Sequence, residues 1–222
     1  MTRPAPAYFP PPDSGLDIRY VDADLLVVDK PSGLLSVPGR GAGMDDNLAS
    51  RVQARYPEAL TVHRLDMDTS GLLVMARNAE VHRALGRLFE LRQVEKEYIA
   101  VVAGRVAGSE RSIALPLIAD WPNRPRQMVD FVQGKPALTH LEVLSYDAGD
   151  DTTRVRLRPE TGRSHQLRVH LQSIGHPILG DDLYAPRQIL AQAPRLLLHA
   201  ALLAFRHPVS GEWLSVRCEP PF

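Results

Sequence analysis

The chain has 222 residues, 26 basic and 26 acidic side chains and a single cysteine. That length fits one large domain or two joined lobes that bury on the order of 70% of the unfolded surface, so no disulfide or structural metal is needed. The zero net charge argues against a generic nucleic-acid-coating protein, and the lone Cys218 excludes an internal disulfide and suits a reducing compartment.

Residues 1–15 form a proline-rich arm (Pro4, Pro6, Pro10, Pro11, Pro12). Prolines in series favour extended backbone, so the arm is expected to be mobile or to hug the surface, and to carry no chemistry. The N-terminus lacks the charged-then-apolar order of a signal peptide, and no apolar stretch approaches the roughly 20 residues that cross a bilayer. A cytoplasmic location with no membrane partner is expected. Residues 16–222 form the expected folded domain. Residues 18–21 and 25–28 read as two short strands, followed by a Pro/Gly-punctuated loop that begins Lys30-Pro31-Ser32-Gly33. Residues 47–56 read as a helix capped by Asp45 or Asp46 and stopped by Pro57.

Residues 61–77 are the most informative stretch. His63, Arg64, Asp66, Asp68, Thr69 and Ser70 crowd against an apolar run, residues 72–76, that reads as a buried strand after Gly71. Polar groups are costly to bury without partners, and a polar loop on a rigid strand suits chemistry. A plainer reading makes Asp66 a turn cap with Arg64 as its surface ion-pair partner.

Beyond it, Asn78 caps a predicted amphipathic helix over 79–91 (Val81, Leu85, Leu88, Phe89), and residues 95–102 alternate as a strand. Residues 113–117 are expected as an edge strand. Asp120-Trp121-Pro122-Asn123-Arg124-Pro125-Arg126 joins an aromatic to two arginines, the planes on which unpaired bases stack; the plainer reading is a rigid loop with a half-buried Trp. Residues 135–146 and 153–158 form a predicted hairpin about 147–151. The second strand alternates Arg154, Arg156 and Arg158 with Val155 and Leu157, which predicts a strongly basic face. A helix is predicted from Ser164 as N-cap to Gly175, with His165 and Arg168 on one face. Residues 197–205 and 213–216 read as a closing hairpin. No internal repeat is evident.

Three motifs resemble the RluA-type pseudouridine synthases. His63-Arg64-Leu65-Asp66, with Thr69-Ser70-Gly71-Leu72-Leu73, resembles the central motif. Lys96-Glu97-Tyr98 resembles the second, and Thr161-Gly162-Arg163-Ser164-His165-Gln166-Leu167-Arg168 the third. The likeness covers roughly residues 18–217. It implies an α+β fold: a mixed, mainly antiparallel sheet in two joined lobes, with flanking helices and a central catalytic cleft. It implies Asp66 as nucleophile and Tyr98 as the residue that stacks on a flipped uracil and accepts a proton. An arginine pairs with the Asp, with Arg168 the first choice and Arg163 the second. His63, Arg64, Arg163, His165, Arg124 and Arg126 are the implied RNA contacts. Because His63 comes so early, no separate N-terminal RNA-binding domain is expected. The short form implies tRNA and 23S rRNA as partners, at uridine 32 of tRNA anticodon loops and uridine 746 of 23S rRNA, and a monomer is expected. Isomerising uridine to pseudouridine involves no redox change, so no cofactor, nucleotide or metal is expected.

Two other functions compete. In a haloacid-dehalogenase-type phosphatase, Asp66 and Asp68 would be the paired aspartates and Asp181-Asp182 the distal acids, although the residues before Asp66 are not the apolar strand that family needs. A noncatalytic RNA-binding module would use residues 154–170 and leave the central motif idle. Zinc on His165, His170 and His176 lacks the usual helical pair spacing.

Overall fold

The computed structural model describes residues 8–39 and 43–222; Pro4 and Pro6 of the expected arm lie outside them. The strands in chain order are β1 (Asp17–Val21), β2 (Leu25–Lys30), β3 (Leu60–Thr61), β4 (Ser70–Ala76), β5 (Glu95–Ala103), β6 (Glu110–Ala114), β7 (Leu117–Ala119), β8 (Gln127–Val129), β9 (Leu138–Asp147), β10 (Thr152–Pro159), β11 (Leu198–Arg206) and β12 (Trp213–Arg217). The helices are α1 (Leu48–Gln53), α2 (Ala79–Glu90), α3 (Gln166–Ser173) and α4 (Arg187–Leu190).

Ten strands form one sheet with the path β1-β2-β4-β11-β5-β10-β9-β6, while β12 joins β11 and β3 joins β4. All its pairings are antiparallel except β4 with β11, which meet in parallel at His199–Ser70 and Ala200–Gly71. The apolar run in β4 is continuous because both of its faces are covered. Leu72 and Val74 pack with Val81 and Leu85 of α2 and with Phe205. Leu73 and Met75 point the other way, towards Leu26, Val28, Leu48 and Val52. A separate core around β10 joins Val155 and Leu157 to Leu167 and Leu171 of α3. These cores are the two lobes; β5 and β11 run between them.

The arm residues that are described hug the surface. The Tyr8 hydroxyl donates to the Asp46 carbonyl (2.9 Å), and Arg51 Nη2 donates to the Pro11 carbonyl (2.6 Å). Asn78 caps α2 as expected, accepting from the Val81 N–H. The α1 cap is Asn47 rather than Asp45 or Asp46: its side chain accepts from the Ser50 N–H, and Asp46 pairs with Arg51 instead. The expected edge strand over 113–117 divides. β6 ends at Ala114 and pairs with β9, while Leu117 begins the small β7–β8 sheet. Pro116, which has no N–H to give a ladder, lies at that division.

Candidate active site

Asp66 sits in a tight turn ahead of β4, closed by the Thr69 N–H on the Asp66 carbonyl (3.2 Å). The loop that begins Lys30-Pro31-Ser32-Gly33 cradles this turn. Lys30 is fully buried, and its Nζ donates to the carbonyls of Met67 (2.8 Å), Pro31 (2.9 Å) and Leu34 (2.7 Å). Ser32 Oγ donates to the Asp68 carbonyl, and Ser36 Oγ both donates to the Leu65 carbonyl and accepts from the Leu65 N–H. The residues flanking Asp66 are therefore pinned from the opposite loop. Burial pulls the Lys30 ammonium down to about 7, against the opposing pull of Asp68 and Asp66.

The turn opens on a cavity of about 120 Å³ lined by Arg64, Asp66, Tyr98, Arg163, His165 and Arg168, among others. Three segments distant in sequence meet here: the β4 approach, β5, and the start of α3. Gly71 lets β4 lie close against β11 beside it. Its φ is +112°, and an added Cβ would lie within about 2.5 Å of the Ala200 nitrogen. Tyr98 makes no hydrogen bond to any described residue through its hydroxyl. Burial first, and then the Asp66 charge, push its phenol above the ordinary range, so it is protonated in the free protein. Arg64 is exposed at the mouth and forms no ion pair with Asp66, which removes the turn-cap reading.

Several expected roles change. Arg168 does not pair with Asp66. Its guanidinium bonds bidentately to Asp181 (2.9 and 2.6 Å) and reaches Asp182 (2.9 Å). A carboxylate as buried as Asp181 needs a buried cation, and the half-exposed Asp66 does not compete for it. Arg163 instead donates through Nε to the Pro136 carbonyl. The group that does face Asp66 is His165, with Nε2 3.9 Å from Oδ1. His63 does not line the cavity. Its Nε2 accepts the Val74 N–H (3.1 Å), and its ring stacks on Phe89 of α2 at 4.5 Å, so it is a packing residue behind β4. Burial lowers it to about 3 and keeps it neutral.

The expected N-cap of α3, Ser164, also moves. His165 occupies that position in the left-handed region (φ 53°) with no side-chain cap bond. Arg124 and Arg126 lie on the β7–β8 hairpin, outside the cavity lining. Arg124 stacks over Trp121 at 3.9 Å and Arg126 lies 5.3 Å from the Tyr184 ring centre. Trp121 is exposed rather than half-buried. Tyr184 was invisible to sequence reasoning. It is buried, and its hydroxyl meets His165 Nδ1 at 2.7 Å. The resemblance places a similar Lys-Pro-Ser-Gly segment beside the cleft, but the clamp that Lys30 makes on the Asp66 turn was not legible in it.

The profile of the RNA pseudouridylate synthase family matches residues 24–173. The chain belongs to that family. A Pasteurella multocida protein described as a dual-specificity RNA pseudouridine synthase RluA is 51% identical over 216 residues, covering 97% of this chain and 98% of its own. The Escherichia coli K12 protein of the same description is 50% identical over 215 residues, with the same coverage. Among solved structures, the human RNA pseudouridylate synthase domain containing 1 superposes with a TM-score of 0.80 at 33% identity, covering 96% of this chain and 87% of that one. As a pseudouridine synthase the chain is an isomerase acting on RNA, and the phosphatase and noncatalytic readings fall. The site agrees: Asp181 is taken by Arg168 rather than left open to a cation. Among the described residues no helix is long and apolar enough to cross a membrane.

Proposed function

We propose that this pseudouridine synthase acts on two RNA classes, the tRNA anticodon loop and 23S rRNA at the uridines named above, in the cytoplasm, with residues 16–222 as one catalytic domain. The near-full-length likeness to proteins described as dual-specificity supports the pair of substrates. The observation that carries the mechanism is a clamped Asp66 facing a cavity whose other wall is an unbonded tyrosine.

A target uridine must leave its stack, at a cost of a few kcal/mol that is least in a loop. Arg64, exposed and without an ion pair among the described residues, fills the vacated space. Tyr98 stacks on the extruded base and Asp66 attacks. The N1–C1′ bond breaks as Asp66 takes C1′, the base turns, and the C5–C1′ bond forms as the bond from Asp66 to C1′ breaks. The C5 proton leaves and N1 gains one, so electrons balance with no oxidant. Arg168 serves this site by anchoring α3 through Asp181, and Arg163, Arg124 and Arg126 face the RNA backbone.

The test is pseudouridine formation in EDTA on an unmodified anticodon stem-loop and, separately, on the matching 23S rRNA hairpin. Product in both is expected. Product in one alone corrects the substrate pair while keeping the chemistry; product in neither overturns the assignment.

A further inference from the structure

Tyr184 lies outside the three motifs yet touches two parts of the site. Its oxygen accepts the Gln127 N–H (2.8 Å) from β8, at the root of the hairpin that carries Trp121, Arg124 and Arg126. Its hydroxyl is 2.7 Å from His165 Nδ1, the two rings meet edge to face at 5.7 Å, and His165 Nε2 is 3.9 Å from Asp66 Oδ1. Asp181 fixes the turn from which Tyr184 projects, accepting the Leu183 and Tyr184 N–H groups through Oδ1 while it holds Arg168.

A phenol has one hydrogen. Among the described residues the only acceptor within reach of this one is His165 Nδ1. A neutral imidazole that accepts this hydrogen at Nδ1 carries its own at Nε2, on the side of Asp66. We propose that Tyr184 is a positioning residue of the isomerase site: its hydroxyl holds His165 in the tautomer that presents Nε2–H to Asp66, and its bond to Gln127 ties that orientation to the basic hairpin.

The 3.9 Å gap is too long for a hydrogen bond, and such contacts often tighten only when substrate is bound. A neutral donor on Oδ1 orients the carboxylate without neutralising it and leaves the other oxygen free to attack. Burial and the Arg168 charge both disfavour an imidazolium here, against the pull of Asp66. The left-handed backbone of His165 (φ 53°) is strained for a non-glycine residue, and the Tyr184 bond helps hold it.

The inference rests on Asp66 as nucleophile, so it is tested beside wild type on the anticodon stem-loop. Tyr184→Phe keeps the ring and removes both hydrogen bonds. Its kcat is expected to fall about 10- to 100-fold, the range that small misplacement of a reacting group produces, while KM for RNA changes less than about twofold. His165→Ala should lose a similar factor, and the double variant should lose no more than His165→Ala alone. Unchanged kcat in Tyr184→Phe, or losses that multiply, would overturn the proposal. Should Tyr184→Phe fold poorly, imidazole nitrogen shifts of wild-type protein decide the point: Nε2 protonated and Nδ1 bare is expected, and the reverse tautomer refutes it. Wild type without turnover on any RNA would instead sink the reading of Asp66, and the tautomer measurement would still stand.

Discussion

At Asp66 the clamp, the cavity and the facing histidine converge, and the sharpest prediction is there. Asp66→Ala should abolish pseudouridine formation while RNA affinity stays within a few-fold, because the arginines proposed to meet phosphate are left in place; single-turnover assays with filter binding check both, and retained turnover would remove Asp66 from the chemistry. Tyr98→Phe keeps the ring and deletes a hydroxyl that makes no hydrogen bond among the described residues. If that oxygen carries a proton, kcat should drop about 100- to 10,000-fold with RNA binding intact. Unchanged kcat would leave Tyr98 as a stacking platform only. His63 makes a different prediction, about pH. Its ring is neutral in the folded protein, with its ordinary value of 6.5 lowered to about 3. The unfolded chain takes up this proton below 6.5 and the folded chain does not, so acid favours unfolding. Its contribution is full above about pH 6.5 and falls by about 1.4 kcal/mol per pH unit as pH drops towards 3. Urea titrations at pH 7, 6 and 5 on wild type and His63→Gln should show a stability gap that narrows with acid; a constant gap would mean that His63 charges while folded.

At the scale of elements, the fold was legible wherever the cause was local. Asn78 announces α2 because an N-cap and the apolar spacing that follows are neighbours in sequence, and β4 reads from five consecutive apolar residues. The elements that failed depend on distant partners. Ser164 reads as a cap, yet Tyr184 holds His165 in that place. Arg168 was picked for Asp66 without any sign that Asp181 would be buried beside it. The cradle is the clearest case, since Lys30 serves carbonyls on both its own loop and the Asp66 turn. Lys30→Met would leave the Pro31 and Leu34 carbonyls without their donor, while the Met67 carbonyl keeps the Gly33 N–H (3.0 Å), at about 1–3 kcal/mol for each buried group. Chemical denaturation should register a loss of about 2 kcal/mol or more, together with lower turnover as the Asp66 turn loosens. A loss below about 1 kcal/mol would mean that water replaces the ammonium.

The whole molecule is neutral, so its charge must be read by position. The basic face expected on β10 is largely cancelled. Arg156 pairs with Glu142 at 2.8 Å and Arg158 with Glu97 at 3.0 Å, both carboxylates supplied by the flanking strands β9 and β5. Alternation along one strand showed where the arginines point, but the neighbours that neutralise them are set by sheet order. Four arginines near the site, Arg64, Arg124, Arg126 and Arg163, have no ion pair among the described residues. If these four are what meets phosphate, the slope of log affinity against log salt follows from about 0.7 counterions released per contact on single-stranded RNA. The expected slope is about −3, measured by titrating the anticodon stem-loop across salt concentrations with Asp66→Ala to prevent turnover. Arg154→Ala should leave that slope unchanged, since its guanidinium is held by the Phe222 carbonyl at 2.7 Å. Arg124→Ala with Arg126→Ala should flatten it by about one to two units. A slope near −5 in the parent would mean that the β10 arginines leave their partners on binding, and RNA would then have to reorganise the sheet surface as well as the target loop.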